Sequence, residues 1–333
     1  MSKPRVGFLG TGWIGRHRMQ AIVETGAVEP AAIVDPAPEC AAEAAKLAPG
    51  AALLPSFEAM LDSGLDGLVI ATPSALHARD AERALRAGTA VFCQKPVGRD
   101  LAECRSVVEA ARAADRLLGV DLCYRRTRAA DALRTLVRSG ALGHVHSVDL
   151  TFHNAYGPDK PWFYRRSESG GGCLLDLGTH LVDLALWLLD ETRVEEVRGR
   201  LLRDGVPLGA DGDPEAVEDY ATAELGFPSG AHARLACSWG LAAGADAVIS
   251  VHLWGTRGGA ALRNVGGSYY DFVAERYDGT RRELLVEPPD AWGGRTLVSW
   301  CRALADDPSY DPRVEPVLEV ARVLDSIYGR PRP

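Results

Sequence analysis

The stretch Val6-Gly-Phe-Leu-Gly10-Thr-Gly12-Trp-Ile-Gly15 decides the fold. A short apolar run ends at Gly10, and a helical pattern begins near Trp13. Read as strand, turn and helix, Gly10 permits the tight turn and Gly12 lets backbone approach a pyrophosphate. Gly15 lets the helix pack closely on its strand, with the helix N-terminus toward the phosphates. A lone G-x-G-x-x-G says little in a chain with 35 glycines, so its context has to carry it. After the helix, Ala31 to Val34 form a second apolar run that ends in Asp35. This lies about 20 residues beyond Gly15, where an acidic side chain bonds the ribose 2′-OH. A carboxylate there repels the 2′-phosphate of NADP, so the sequence favours NAD.

From Pro4 to about Asp121, apolar strand candidates at 5–9, 30–34, 51–54, 67–71, 90–93 and 117–121 alternate with helical patterns. That alternation is the mark of a doubly wound parallel sheet. Asp100 and Glu103 stand as a capping box before an apolar face of Leu101, Cys104, Val108 and Ala111, which predicts a helix. The pattern changes near residues 122–126 without a low-complexity linker. This gives an α/β nucleotide-binding domain of Rossmann type over 1–123 and an α+β domain over 124–333, for substrate and oligomer contacts. In the second, strands dominate from about Val194. Ala221 to Phe227 and Ala231 to Trp239 read as a hairpin with His232, Arg234 and Ser238 on one face, and Val248 to Trp254 begins another pair. The expected result is a large, mostly antiparallel open sheet whose polar face suits solvent or a second subunit, hence a homodimer or homotetramer. Helical patterns near 293–305 and 313–328 close the chain, and the final helix is a candidate to pack back on the first domain.

The chain has 333 residues, 47% of them hydrophobic, and a formal charge of −8 without a long basic block. Two domains are the natural expectation at this length, and the charge pattern argues against nucleic acid or an anionic membrane as partner. No segment reads as approaching the roughly 20 apolar residues that span a bilayer, and Met1 to Arg5 leads straight into the first strand with no room for a signal peptide. The expectation is a cytoplasmic protein. Seven cysteines with no C-x-x-C pair fit reduced thiols in the core better than disulfides or a zinc site.

Strand ends of such a sheet face the ligand crevice. The fourth ends in Thr72-Pro73, a fixed wall for a cofactor. His77 falls on the sheet-facing side of the next helix, where a satisfied buried histidine is the plain reading. The fifth delivers Gln94-Lys95-Pro96, and Lys95 is placed to stabilise charge on a substrate oxygen during hydride transfer. Beyond the boundary, Cys123-Tyr124-Arg125-Arg126 leads into a helix, with Arg125 as the candidate contact to a substrate hydroxyl. A strand from His146 to Tyr156 offers His153, Asn154 and Tyr156 to sugar hydroxyls, with Trp162 beyond it. His144, His146 and His153 lack the ligand spacing of a metal site.

Ser169-Gly-Gly-Gly-Cys-Leu-Leu-Asp176-Leu-Gly-Thr-His180-Leu-Val-Asp183-Leu-Ala-Leu-Trp187 is the other informative segment. As one helix it puts Asp176, His180, Asp183 and Trp187 on a single stripe, with leucine and valine over the rest. Burying two carboxylates and an imidazole is costly unless they are partnered or line a wet cleft. His180 is the natural general base or acid, with Asp176 or Asp183 to orient it. The glycines before it permit close approach of a ligand or a tight entry into the helix.

Taken together, Gly10-Thr-Gly-Trp-Ile-Gly15, Thr72-Pro73 with His77, Gln94-Lys95-Pro96, and Gly170-Gly-Gly172 leading to Asp176-x-Gly-x-His180-x-x-Asp183 make the chain resemble the Gfo/Idh/MocA oxidoreductases over nearly its whole length. The resemblance implies that Lys95, Asp176 and His180 form the catalytic group. It implies cofactor contacts from Gly10, Gly12, Trp13, Ile14, Gly15, Asp35, Thr72, Pro73, His77, Gln94 and Lys95. Substrate contacts fall to Tyr124, Arg125, His153, Asn154, Tyr156, Asp176 and His180, and no metal is implied. Gln94 departs from the family pattern, which has glutamate there, and so removes a negative charge beside Lys95. The expected activity is hydride transfer between NAD, less readily NADP, and a secondary alcohol or ketone of a sugar, sugar derivative or cyclitol. The alternatives are an enzyme that keeps and recycles its NAD, and a non-catalytic NAD-binding regulator.

Overall fold

The computed structural model describes residues 3–209 and 212–331; Met1 and Ser2, read above as leading into the first strand, lie outside them. The chain divides into two compact units, Met1–Cys123 with Gly293–Val317, and Tyr124–Trp292 with Leu318–Pro333.

The first unit is built on a parallel sheet of order β3-β2-β1-β4-β5-β6. Its strands are β1 (Arg5–Leu9), β2 (Glu29–Val34), β3 (Ala52–Leu53), β4 (Gly67–Ile70), β5 (Ala90–Cys93) and β6 (Leu118–Val120), joined through α1 (Trp13–Thr25), α2 (Pro38–Leu47), α3 (Phe57–Leu61), α4 (Ser74–Arg86) and α5 (Leu101–Ala114). β4 and β5 are buried at every residue, as strands covered on both faces must be. Asp100 caps α5 through the Glu103 N–H at 2.8 Å, while the Glu103 carboxylate turns to the Arg99 N–H at 2.8 Å instead of closing a capping box. A helix from the far end of the chain, Arg295–Asp306, joins this core through Leu297, Trp300, Cys301 and Leu304. Gly67 and Gly119 make room for it, since a Cβ on either would lie 2.7 Å and 2.5 Å from the Trp300 ring. The last helix, Pro316–Ile327, lies mostly in the second unit.

The second unit carries a nine-stranded sheet of order β15-β14-β13-β12-β7-β11-β10-β8-β9. The strands are β7 (Val145–Asn154), β8 (Glu196–Arg203), β9 (Val206–Pro207), β10 (Tyr220–Gly226), β11 (His232–Ser238), β12 (Ala247–Gly255), β13 (Gly259–Asn264), β14 (Phe272–Asp278) and β15 (Arg281–Val286). All neighbours are antiparallel except β7 and β11. Val148, Leu150 and Phe152 of β7 align with Ala233, Leu235 and Cys237 of β11 on the buried face. α6 (Arg128–Arg138), the short α7 (Arg166–Ser169) and α8 (Thr179–Leu189) precede or cross this sheet, with α8 packed on β7 and β11. The helical run Arg166–Leu189 is long and apolar enough to cross a membrane, with a mean hydropathy of 1.5, contrary to the expectation that no segment comes close. Its apolar window is 83% buried inside the protein, as in a core helix. All seven cysteines are free thiols, and every one but Cys40 is buried.

Candidate active site

In the first unit the glycine turn joins β1 to α1. Gly10 has φ +84, and a Cβ there would lie 2.6 Å from the Ala71 carbonyl oxygen; one on Gly15 would lie 2.3 Å from the Gly10 carbonyl oxygen. A Cβ on Gly12 would meet nothing within 4 Å, so this glycine holds space open beside the turn. No side chain caps α1, which leaves its first N–H groups for an outside acceptor such as a phosphate. Asp35, at the end of β2, accepts from the Thr11 N–H at 2.5 Å, the Thr11 hydroxyl at 3.1 Å and the Ala37 N–H at 2.9 Å. The carboxylate expected at the ribose thus also fixes the turn. Trp13 is 63% exposed and stacked on His17, and Ile14 is half-buried.

β4 and β5 end side by side. The Thr72 hydroxyl after β4 is buried with no partner among the described residues, and a buried hydroxyl calls for one; a nucleotide in this crevice would supply it. Pro73 opens α4. His77, 2% exposed, has Nδ1 2.7 Å from the Pro96 carbonyl oxygen and Nε2 2.7 Å from that of Thr72. Burial pushes its pKa below the ordinary value, opposed by the two carbonyls and Asp80. The neutral ring donates to one of these carbonyls and packs its other nitrogen against the second, so His77 sits as a staple between two strand ends. Gln94 is likewise turned inward. Its side-chain N–H donates to Asp121 Oδ2 at 2.6 Å, and Arg18 Nε donates to that same oxygen at 2.6 Å, all three residues being buried. Lys95, next in the chain, is half-buried at the strand end.

In the second unit the segment before α8 does not form the expected continuous α-helix. Leu174–Gly178 winds as a π turn, with the Thr179 N–H reaching back to the Leu174 carbonyl. The wider winding breaks the single stripe, and the two carboxylates take separate partners. Asp176 Oδ2 accepts from the Trp239 indole N–H at 3.1 Å. His180, 5% exposed, lies edge-on to Tyr124 with ring centres 4.8 Å apart, and Phe152 is 6.5 Å away. Asp183 accepts on both oxygens from Arg125, Nε to Oδ2 at 2.6 Å and Nη2 to Oδ1. Burial pushes the Asp183 carboxyl up and the guanidinium pulls it back down. This pair commits Asp183 to Arg125 and the Nε–Nη2 edge of Arg125 to Asp183. Trp187 lies under the Arg134 guanidinium at 4.2 Å.

The pleat of β7 sorts the remaining candidates. Phe152 and Asn154 share the buried face, and the Asn154 side-chain oxygen is buried with no partner among the described residues. His153 points to the opposite face, where Nδ1 lies 2.7 Å from the Ser238 hydroxyl and the ring stacks on Tyr220. It is therefore a residue of the outer sheet face and not a neighbour of His180. Tyr156 is 62% exposed and donates to Asp246 at 2.9 Å. Trp162 is half-buried and stacked on Phe163.

The family model for the oxidoreductase family, NAD-binding Rossmann fold, matches residues 4–122, and that for the GFO/IDH/MocA C-terminal domain matches 130–261. The 1,5-anhydro-D-fructose reductase of Ensifer adhaerens is 30% identical over 264 residues, 78% of this chain and 76% of that protein. The inositol 2-dehydrogenase of Rhizobium meliloti is 30% identical over 262 residues, with the same coverage of 78% and 76%. The dTDP-3,4-didehydro-2,6-dideoxy-alpha-D-glucose 3-reductase of Streptomyces violaceoruber is 30% identical, covering 90% of this chain and 82% of that protein. The chain belongs to the Gfo/Idh/MocA oxidoreductase family. Two solved structures share its fold. A levoglucosan dehydrogenase in complex with NADH and levoglucosan gives a TM-score of 0.81 at 22% identity, covering 98% and 96% of the two chains. KijD10, a 3-ketoreductase from Actinomadura kijaniata in complex with NADP and TDP-benzene, gives 0.84 at 21%, covering 98% of each.

This Gfo/Idh/MocA oxidoreductase binds NAD through its Rossmann unit, and the open Gly12, the uncapped α1 and the unpartnered Thr72 hydroxyl fit that nucleotide. Two residues of the site escaped the sequence reading. Asp121 looks like the polar end of an apolar strand, and Trp239 like the last residue of a hairpin; only their partners, Gln94 and Asp176, mark them.

Proposed function

We propose that this oxidoreductase moves hydride between NAD(H) and a secondary alcohol or ketone of a sugar, sugar derivative or cyclitol. The observation that carries the reading is Asp176, set on a buried π turn and held through Oδ2 by the Trp239 indole, one turn before His180 in its aromatic wall. Bound NAD supplies the hydride acceptor at its nicotinamide ring. His180 takes the hydroxyl proton in oxidation and returns it in reduction, since an imidazole exchanges protons near neutrality. Asp176 positions the reacting hydroxyl. Lys95 stabilises charge on the reacting oxygen. The Asn154 oxygen accepts from a further hydroxyl, which suits a polyol. The substrates named for the relatives support the class, and Asp35 supports NAD over NADP.

The test is absorbance at the reduced-nicotinamide band with added NAD or NADP across cyclitols, aldoses and glycosides. Net reduction of NAD by one polyol class supports the proposal. Silence across the panel, with nucleotide carried by the purified protein, points instead to an enzyme that recycles its NAD or to a regulator. The same proposal includes a cytoplasmic homodimer or homotetramer paired through the outer sheet face. Arg198, Arg234, Asp149 and Glu224 mix charges there, and His252, Trp254 and Tyr277 form an aromatic stack. A monomeric mass by light scattering would refute that part.

A further inference from the structure

We infer that Glu218, with Tyr328, is a positioning residue for Asp176. The inference rests on the reading of Asp176 as a group of the reacting site. A helix start leaves its first N–H groups without partners, and a side chain just before it normally supplies them. Here Gly170-Gly171-Gly172 has none to offer. Three consecutive N–H groups converge instead on one residue from the approach to β10. Gly172 and Leu174 donate to Glu218 Oε1 at 3.0 Å and 2.9 Å, and Cys173 donates to the Glu218 carbonyl oxygen at 3.0 Å. Glu218 is fully buried, and the Tyr328 hydroxyl donates to the same Oε1 at 2.7 Å.

The glycines are the other half of this cap. A Cβ on Gly171 would lie 2.0 Å from the Tyr328 hydroxyl, and one on Gly172 would lie 1.9 Å from the Glu218 carbonyl oxygen. Of the two sequence readings of the glycine run, the tight entry into the helix is the one these contacts favour.

Two chains of contacts run from this cap to Asp176. Gly172, held through its N–H by Glu218, accepts the Asp176 N–H on its own carbonyl at 3.0 Å. Asp219, the next residue, accepts the Trp239 backbone N–H at 2.8 Å, and Trp239 holds the Asp176 carboxylate. The backbone of Asp176 and the indole that aims its side chain are thus both fixed by residues 218–219. Burial pushes the Glu218 carboxyl up, while the Tyr328 hydroxyl and the capped N–H groups pull it down.

The test compares Glu218→Met, which fills the space without an acceptor, with Glu218→Gln, which keeps one, on the NAD-linked turnover of the best substrate. A misplaced reacting group costs on the order of tenfold to 100-fold in rate. Glu218→Met is expected to lose kcat on that order with NADH affinity within about twofold of the parent, and Glu218→Gln to recover most of it. An unchanged kcat in Glu218→Met, a loss that falls on NADH affinity, or a loss that glutamine does not restore overturns the inference. If Glu218→Met does not fold, Tyr328→Phe decides, because it strips one donor from the same oxygen. A severalfold fall in kcat at unchanged NADH affinity then supports the inference, and unchanged kcat overturns it. Asp176→Asn is measured alongside. If that variant keeps its turnover, the reading of the site fails; if it loses turnover while Glu218→Met does not, only the positioning role fails.

Discussion

Asp121 accepts from Gln94 and from Arg18 on one oxygen, at 2.6 Å each, and in that setting the glutamine at 94 makes chemical sense. A glutamate there would face a second buried carboxylate, and like charges at such range cannot both ionise. Gln94→Glu is expected to cost about 3 kcal/mol at neutral pH by chemical denaturation. Asp121→Asn in the same chain should restore most of it by turning one acceptor back into a donor, and a double variant no more stable than the single one would count against the pairing. His77 makes a second prediction. Its pKa is depressed in the folded chain, so its contribution is full above the ordinary value of about 6.5 and is lost as pH falls from there toward the lower folded value. Lowering pH from about 7.5 to about 5.5 should therefore depress Tm more steeply in the parent than in His77→Gln; parallel slopes would contradict this. The three turn glycines were legible in the sequence because their demands are local. The pairing of Arg125 with Asp183 was not, since its partners are distant in the chain and meet only in the fold.

The π turn at Leu174–Gly178 shows what periodicity misses. A π turn changes the winding without changing composition, so the sequence still reads as one apolar helix and its polar residues as one stripe. Gly178 belongs to that turn, where a Cβ would lie 2.6 Å from the Leu174 side chain in the buried core. Gly178→Ala is expected to destabilise by about 1–3 kcal/mol and to lower kcat more than nucleotide affinity; a variant as stable and active as the parent would show the turn to be dispensable. Strands fared better. Period-two alternation gave β10 and β11 as a hairpin with the observed faces. The same alternation in β7 puts His153 and Asn154 on opposite faces, so the two cannot serve one pocket.

For the whole molecule, the parallel sheet, the larger mixed sheet and the family were all legible, because strand alternation and the phosphate turn are written in contiguous residues. The return of Arg295–Asp306 to the first core was not, since the space it fills is made by Gly67 and Gly119, far earlier in the chain. The apolar length of Arg166–Leu189 is masked in the sequence, because Asp176, His180 and Asp183 interrupt the run while the leucines around them keep it apolar. The central claim is an NAD-linked enzyme in which His180 moves the proton. It is tested most directly by measuring turnover and NADH affinity in His180→Ala beside the parent protein. The account predicts turnover reduced by about 100-fold or more with NADH binding intact. Turnover close to that of the parent, with NADH still bound, would contradict it.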